Sequence, residues 1–273
     1  MSGNLRIIFD NISDTASLTA TSEALPIDYV KRAGRSYTWR STDVGEQTIN
    51  GTFASPSYIN SLAVLRHNIS ASGTVRIEFL LSGSVVYDSG DVFPSELKPL
   101  GEWVVGVDPW GTSSLSLLPT QQFVIWLDNV ILADSYRITI NDASNPDGYI
   151  QVGRIFAGEY YSPEINAEYG LQLEWQDFGE NRRTESGSLR TINTGFARRV
   201  SFGLDILSPQ EFSRLTLAVA RTPKENDIYI NIYPEQGGVL EASHAFLAKR
   251  ESNYQTVNNQ FDSFSNQLTF NEV

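Results

Sequence analysis

Apolar and polar residues alternate with a period of two in stretch after stretch of this 273-residue chain, and that pattern limits the possible folds more than any other feature. Val75, Ile77, Phe79 and Leu81 would share one face of a strand, with Arg76 and Glu78 on the other. Ser82-Gly83-Ser84 then supplies a turn, and Val85-Val86-Tyr87 begins the return strand of a hairpin. Tyr136, Ile138 and Ile140 alternate with Arg137, Thr139 and Asn141; Val200, Phe202, Leu204 and Ile206 with Ser201, Gly203 and Asp205. Ile228, Ile230 and Ile232 alternate with Tyr229, Asn231 and Tyr233, and Leu268 and Phe270 with Thr269 and Asn271. Strands with one apolar face, separated by Gly, Asn, Pro and Ser turns, predict an all-β antiparallel sandwich.

Helix signals are few. Ser208-Pro209-Gln210-Glu211 combines an N-cap serine, a proline at the first helical position and a glutamate that closes a capping box. It predicts one short helix ahead of a strand around Leu215–Ala220. A weaker candidate lies near Pro94–Leu97. The chain changes character around Tyr161–Tyr169, where dense strands give way to a charged loop from Asp177 to Arg190 and then to new strands. The expected organisation is therefore a β-sandwich over residues 1–165 and a smaller β-rich domain with one short helix over 166–273.

Composition narrows the function classes. Five Trp, 12 Tyr and 14 Phe are enough to fill a core, so wholesale disorder is not expected. Cysteine is absent, which removes disulfides and thiolate metal sites and points to assembly in a reducing cytoplasm. A net charge of −12 repels phosphates and disfavours nucleic acid as a partner. The N-terminus lacks the basic and long apolar regions of a signal peptide, and the apolar stretch Phe123–Ala133 is broken by Asp128 and Asn129, so membrane insertion is not expected. Sequons at Asn11, Asn50 and Asn68 are read as chance matches without a secretory route.

Catalytic constellations are missing. The two histidines, His67 and His244, have no accompanying G-x-S-x-G elbow; His67 follows an apolar strand, where it is expected to hydrogen-bond loop backbone, and His244 is read as a surface or packing residue. Carboxylate pairs such as Glu174/Asp177 and Asp88/Asp91 are expected by chance among 32 acids. No acid is nominated, and the chain is read as a non-enzyme. The run Asp142-Ala-Ser-Asn-Pro-Asp-Gly148 invites a structural Ca²⁺, yet Ser144 and Pro146 break the D-x-D-x-D-G spacing, and Asn-Pro-Asp-Gly is by itself a turn sequence. Gly153-Arg-Ile-Phe-Ala-Gly158 has no following Lys-Ser/Thr, so its glycines are read as a bulge or a close backbone approach, with Arg154 paired to a carboxylate. Among the aromatic residues, Trp103, Trp110, Tyr160 and Tyr161 lie in or beside loops, and Trp110, Tyr160 and Tyr161 are the candidate glycan contacts. Trp39 and Trp126 have strand-like neighbours and are read as core, and Trp175 is unassigned.

Three segments together resemble a known family. They are Tyr37–Thr42 with Ile49–Phe53; Ser61–Ser70, Val75–Leu81 and Tyr87–Gly90; and Tyr136–Ile140 with Gly148–Gly158. Their order resembles the galactose-binding-like (discoidin-type) jelly rolls of minor or distal tail proteins of tailed bacteriophages, over residues 5–165. The strand Arg199–Leu204 ahead of Leu207-Ser-Pro-Gln-Glu211 fits the same context. The resemblance implies a structural component of a virion tail tip, baseplate or fibre attachment, assembled in the bacterial host cytoplasm. Its implied partners are other tail proteins and copies of itself, with a possible contact to host-surface glycan. The alternative is a stand-alone carbohydrate-binding module.

Overall fold

The computed structural model describes residues 3–94, 104–107, 121–192, 195–260 and 263–273. The first half contains β1 (Arg6–Ile8), β2 (Ser17–Ala20), β3 (Trp39–Arg40), β4 (Gln47–Leu65), β5 (Thr74–Leu81), β6 (Ser84–Asp88), β7 (Gln122–Asn141), β8 (Gln151–Val152), β9 (Arg154–Gly158) and β10 (Tyr160–Tyr161). The second half contains β11 (Gln172–Asp177), β12 (Glu180–Arg183), β13 (Leu189–Ile192), β14 (Phe196–Leu207), α1 (Pro209–Arg221), β15 (Ile228–Asn231), α2 (Gly238–His244), β16 (Ala245–Arg250), β17 (Thr256–Gln260) and β18 (Ser263–Glu272). All of these ladders are antiparallel.

The first unit is a jelly-roll sandwich built on a bent ribbon. β4 and β7, 19 and 20 residues long, pair along most of their length. Register shifts between Thr52 and Ser57, and again between Ile59 and Ser61, bend the ribbon so that its halves lie in different layers. One half joins β2, β5 and β6, and the other takes β9 on the free edge of β4. The layers close over Trp39, Ile49, Leu62, Ile77, Phe79 and Ile138. The expected hairpin is present: Leu81 pairs with Ser84 across Ser82 and Gly83, both at positive φ, as a two-residue turn between twisted strands requires.

The second unit is a twisted sheet in the order β10-β1-β15-β16-β18-β14-β11, with β17 on β18. Helix α1 packs on it through Leu215 and Val219, in a core with Leu5, Ile7, Phe202, Leu204, Ile230 and Phe270. Ser208 caps this helix and Glu211 completes the capping box, as its sequence predicts. The strand expected around Leu215–Ala220 is instead the helix's second half. Phe212, Leu215 and Val219 recur at helical spacing on one face, which outweighs the period-two reading of Leu215, Leu217 and Val219. Ile206 is 56 % exposed and Leu207 takes the core position, because a bulge between Leu204 and Leu207 flips the alternation. Helix α2 had no signal in the sequence, and the candidate near Pro94–Leu97 runs outside the described residues beyond Pro94.

Strand pairing does not divide at residue 165. β1 and β10 pair with each other, and β1 pairs with β15, so both belong to the sheet formed by the second half. The jelly roll, from Asp10 to Gly158, is inserted between two neighbouring strands of that sheet. Where the chain leaves and returns, its two crossings touch: a Cβ on Gly158 would collide with the Asp10 carbonyl oxygen.

Candidate ligand groove between the two β units

The crossing point is sealed on one side and open on the other. The sealed side begins with Ala63, Leu65 and Phe156 of the jelly roll, which turn away from their own core and pack against Ile8, Tyr229 and Ala245 of the second sheet. A buried ion cluster extends the seal. Arg154 on β9 donates from Nη1 and Nη2 to the two carboxylate oxygens of Asp14, 2.8 Å each, and Nη2 lies 3.2 Å from Asp227 Oδ2 at the foot of β15. Arg154 and Asp227 side chains are each 3 % exposed, and Lys249 Nζ stands 3.8 Å from the other Asp227 oxygen. Burial pushes the Asp14 carboxyl above its usual range, and Arg154 pulls it back. The carboxylate partner expected for Arg154 is therefore a pair of acids, one from each unit.

The open side is a groove of about 360 Å³. One wall is the outward face of α1, where Arg214, Leu217 and Arg221 follow one another along the helix. The other wall is Asp10, Glu159 and Tyr58. Tyr58 is 66 % exposed, because the bend in β4 swings residues 54–58 out of the sandwich. Arg214 Nη2 and Glu159 Oε1 face each other across the groove at 4.0 Å, both well exposed. The lining thus offers an aromatic plate, guanidinium donors and carboxylate acceptors, a set that can hold a hydroxyl-rich ring by its face and its edges.

Two of the three sequence candidates line this groove, but not as free platforms. Tyr160 is half-buried: its ring stands edge-on to Trp126 at 5.3 Å, its Oη donates to the Leu127 carbonyl at 3.3 Å, and the Arg6 guanidinium lies over it at 4.9 Å. Tyr161 is 5 % exposed, edge-on to Phe9, and burial pushes its phenol well up. β10 is paired with β1, so these residues sit in a strand rather than a loop. Trp110 and Trp103 lie outside the described residues. The groove's exposed aromatic, Tyr58, was missed. Its signal was Pro56, which interrupts the alternation in Ala-Ser-Pro-Ser-Tyr58 and marks a break in the strand.

The remaining candidates have structural partners. Asp142 accepts from the Ser70 N–H at 2.7 Å, the Ser70 hydroxyl at 2.6 Å and the Asn145 amide at 2.9 Å, so it ties the loop together through three hydrogen bonds. Asn145 and Gly148 close the turn that the sequence predicts. Among the described residues no group of three or more His, Asp or Glu is placed to hold a metal ion. His67 is buried, accepts from the Ile69 N–H at 3.2 Å, and has its pKa lowered to about 4 by burial. His244 lies 2.9 Å from Ser243 Oγ, but the same Nδ1 faces the Leu240 carbonyl at 2.9 Å. That carbonyl can only accept, so Nδ1 carries the proton and cannot take one from the serine. Trp39 is core as expected, Trp126 lies in the seam, and Trp175 is exposed beside Arg198 and Phe196. No described helix is long and apolar enough to cross a membrane.

No known protein-family model matches the chain, and no curated protein does. Solved structures with a similar shape include the family 32 carbohydrate-binding module of C. perfringens NanJ in complex with galactose, at 14 % identity and a TM-score of 0.38, covering 57 % of this chain and 99 % of that one. The lectin domain of lectinolysin complexed with Lewis B antigen aligns at 7 % identity and a TM-score of 0.39, covering 55 % and 96 %. A Streptococcus pneumoniae fucose-binding module, SpX-3, aligns at 9 % identity and a TM-score of 0.38, covering 56 % and 99 %. At these scores the likeness is one of shape and assigns neither ligand nor site.

Proposed function

We propose that this chain is a carbohydrate-binding module whose ligand lies in the groove between its two β units. The observation that carries this reading is Tyr58, an exposed aromatic ring at the rim of a groove whose walls supply paired donors and acceptors. Pyranose C–H faces stack on such a ring, while Arg214, Glu159 and Asp10 are placed to hold hydroxyl groups. A glycan array tests it. Saturable binding to at least one glycan is expected, and Tyr58→Ala should abolish it with the thermal transition unchanged. An array blank for the intact chain, or binding indifferent to Tyr58, overturns the proposal.

A second role, in assembly, is supported by one further feature. Both strands of the hairpin β12–β13 are exposed at every residue, and Phe178, Leu189 and Ile192 present apolar surface on or beside it. A lone two-stranded hairpin is marginal in water, so a partner that covers it would explain its form. Together with the tail-protein resemblance, this supports a virion component, assembled in the bacterial host cytoplasm with copies of itself and other tail proteins, whose groove reaches host-surface glycan. Light scattering tests the self-association. A defined oligomer should fall apart in Leu189→Ser/Ile192→Ser, and a monomer at all concentrations, absent from purified virions, rules this role out.

A further inference from the structure

We infer that the groove selects saccharides bearing carboxylates, with Arg214 and Arg221 as the groups that read the acid; this rests on the glycan reading of the same groove. The chain carries a net charge of −12, and several of its arginines pair closely with acids: Arg76 with Asp88, Arg137 with Glu78, Arg154 with Asp14 and Asp227, Arg198 with Glu272, Arg199 with Glu251. The groove arginines differ. Arg221 is exposed and has no ion pair among the described residues, and Arg214 faces Glu159 only at 4.0 Å with both side chains more than half exposed, a pairing of little strength. A guanidinium presents a rigid fork of donors that matches a carboxylate, and two such forks stand on one wall of one groove, Arg221 without an ion pair among the described residues and Arg214 only weakly paired.

Their spacing adds a length. Arg214 and Arg221 are seven residues apart on α1, about 10.5 Å along the axis, with Leu217 between them. That geometry suits a chain of pyranose rings with acids on alternate rings, the intervening ring lying on Leu217 and Tyr58. The opposite wall opposes them: Glu159 and Asp10 repel an anion unless they hold its hydroxyls, and Glu159 must yield Arg214 to the incoming carboxylate. The acid wall therefore lowers affinity for an acidic ligand, and its removal should raise it.

Titration calorimetry of the full chain with a hyaluronan octasaccharide and with the same oligomer after carboxyl reduction tests the inference. The acidic form should bind about tenfold tighter, the gain of the Arg221 contact, because the Arg214 contact is offset by displacing Glu159. Arg221→Gln should erase that preference, weakening the acidic form about tenfold and the reduced form by much less. Glu159→Gln should raise the affinity of the acidic ligand relative to the reduced one, a gain that a damaged fold would not produce. Equal affinity for the two oligomers, or a lower acidic-to-reduced affinity ratio in Glu159→Gln, overturns the acid preference and leaves the glycan reading standing. Binding of both oligomers that survives Tyr58→Ala overturns the groove assignment itself, and failure of both to bind a chain that takes up a neutral glycan overturns the acid preference alone.

Discussion

β5 of the jelly roll and β15 of the second sheet carry similar apolar alternation, yet they are buried differently. β5 buries Val75, Ile77 and Phe79 and leaves Arg76 and Glu78 at the surface, where they pair with Asp88 and Arg137. β15 buries all four of its residues: Ile228 and Ile230 enter the second core, while Tyr229 enters the seam with the jelly roll. β1 does the same, with Ile7 in the core and Ile8 in the seam. The two-sided strands mark where one unit leans on the other. The open end of that contact is the groove, so the site is a property of the junction rather than of either unit.

The sharpest way to break the comparison is Arg154→Met. It leaves Asp14 and Asp227 buried without their shared cation, and losing one partner of a buried pair costs about 4 kcal/mol. Urea denaturation should show the single transition shift down or split in two, one for each unit; an unchanged midpoint would mean the cluster does not join them. The next effect belongs to the jelly roll alone. His67 titrates near 4 in the folded chain and at 6.5 when exposed, so the unfolded state takes up its proton first as pH falls. Stability present above pH 6.5 is then lost by about 3 kcal/mol as pH falls to 4. His67→Gln should flatten that part of the pH–stability profile, and an identical slope in the variant would show the histidine uninvolved.

Smaller changes sharpen the comparison. Gly158→Ala forces the two chain crossings apart and should cost about 2 kcal/mol, with loss of the proposed glycan binding because the groove wall moves with them. Calorimetric melting checks the first part and the glycan array the second. Ser208→Ala removes the cap of α1 and should cost about 1 kcal/mol in the second unit. Exchange of amide hydrogens should report that loss along residues 209–221 and not in β5 or β7; a uniform loss would mean that the two units open together.

Much of the fold was legible in local pattern. The β5–β6 hairpin, the capped start of α1 and the burial of Ile138, Phe202 and Leu268 follow from alternation, turn residues and capping chemistry. Misreadings came where a long-range event reset the pattern: the bulge that exposes Ile206, and the sheet that gave Leu215 and Val219 a helical face to cover. For the groove, Tyr160 and Tyr161 were found by residue type, but their partners were not. Asp10 and Glu159 are 149 positions apart in the chain, and Tyr58 belongs with Arg221 only because β1 and β10 pair.

The sequence by itself determined that this chain is β-rich and where most of its strands turn. Those properties depend on neighbours within a few residues, whose spacing acts directly on backbone and face. Only the tertiary structure decided that the alternating strands form a jelly roll inserted in a second sheet, and that two walls from distant segments meet around a groove. Strand order and register are settled by which buried faces fit together across the whole chain, and the period-two pattern is the same for every partner a strand could take.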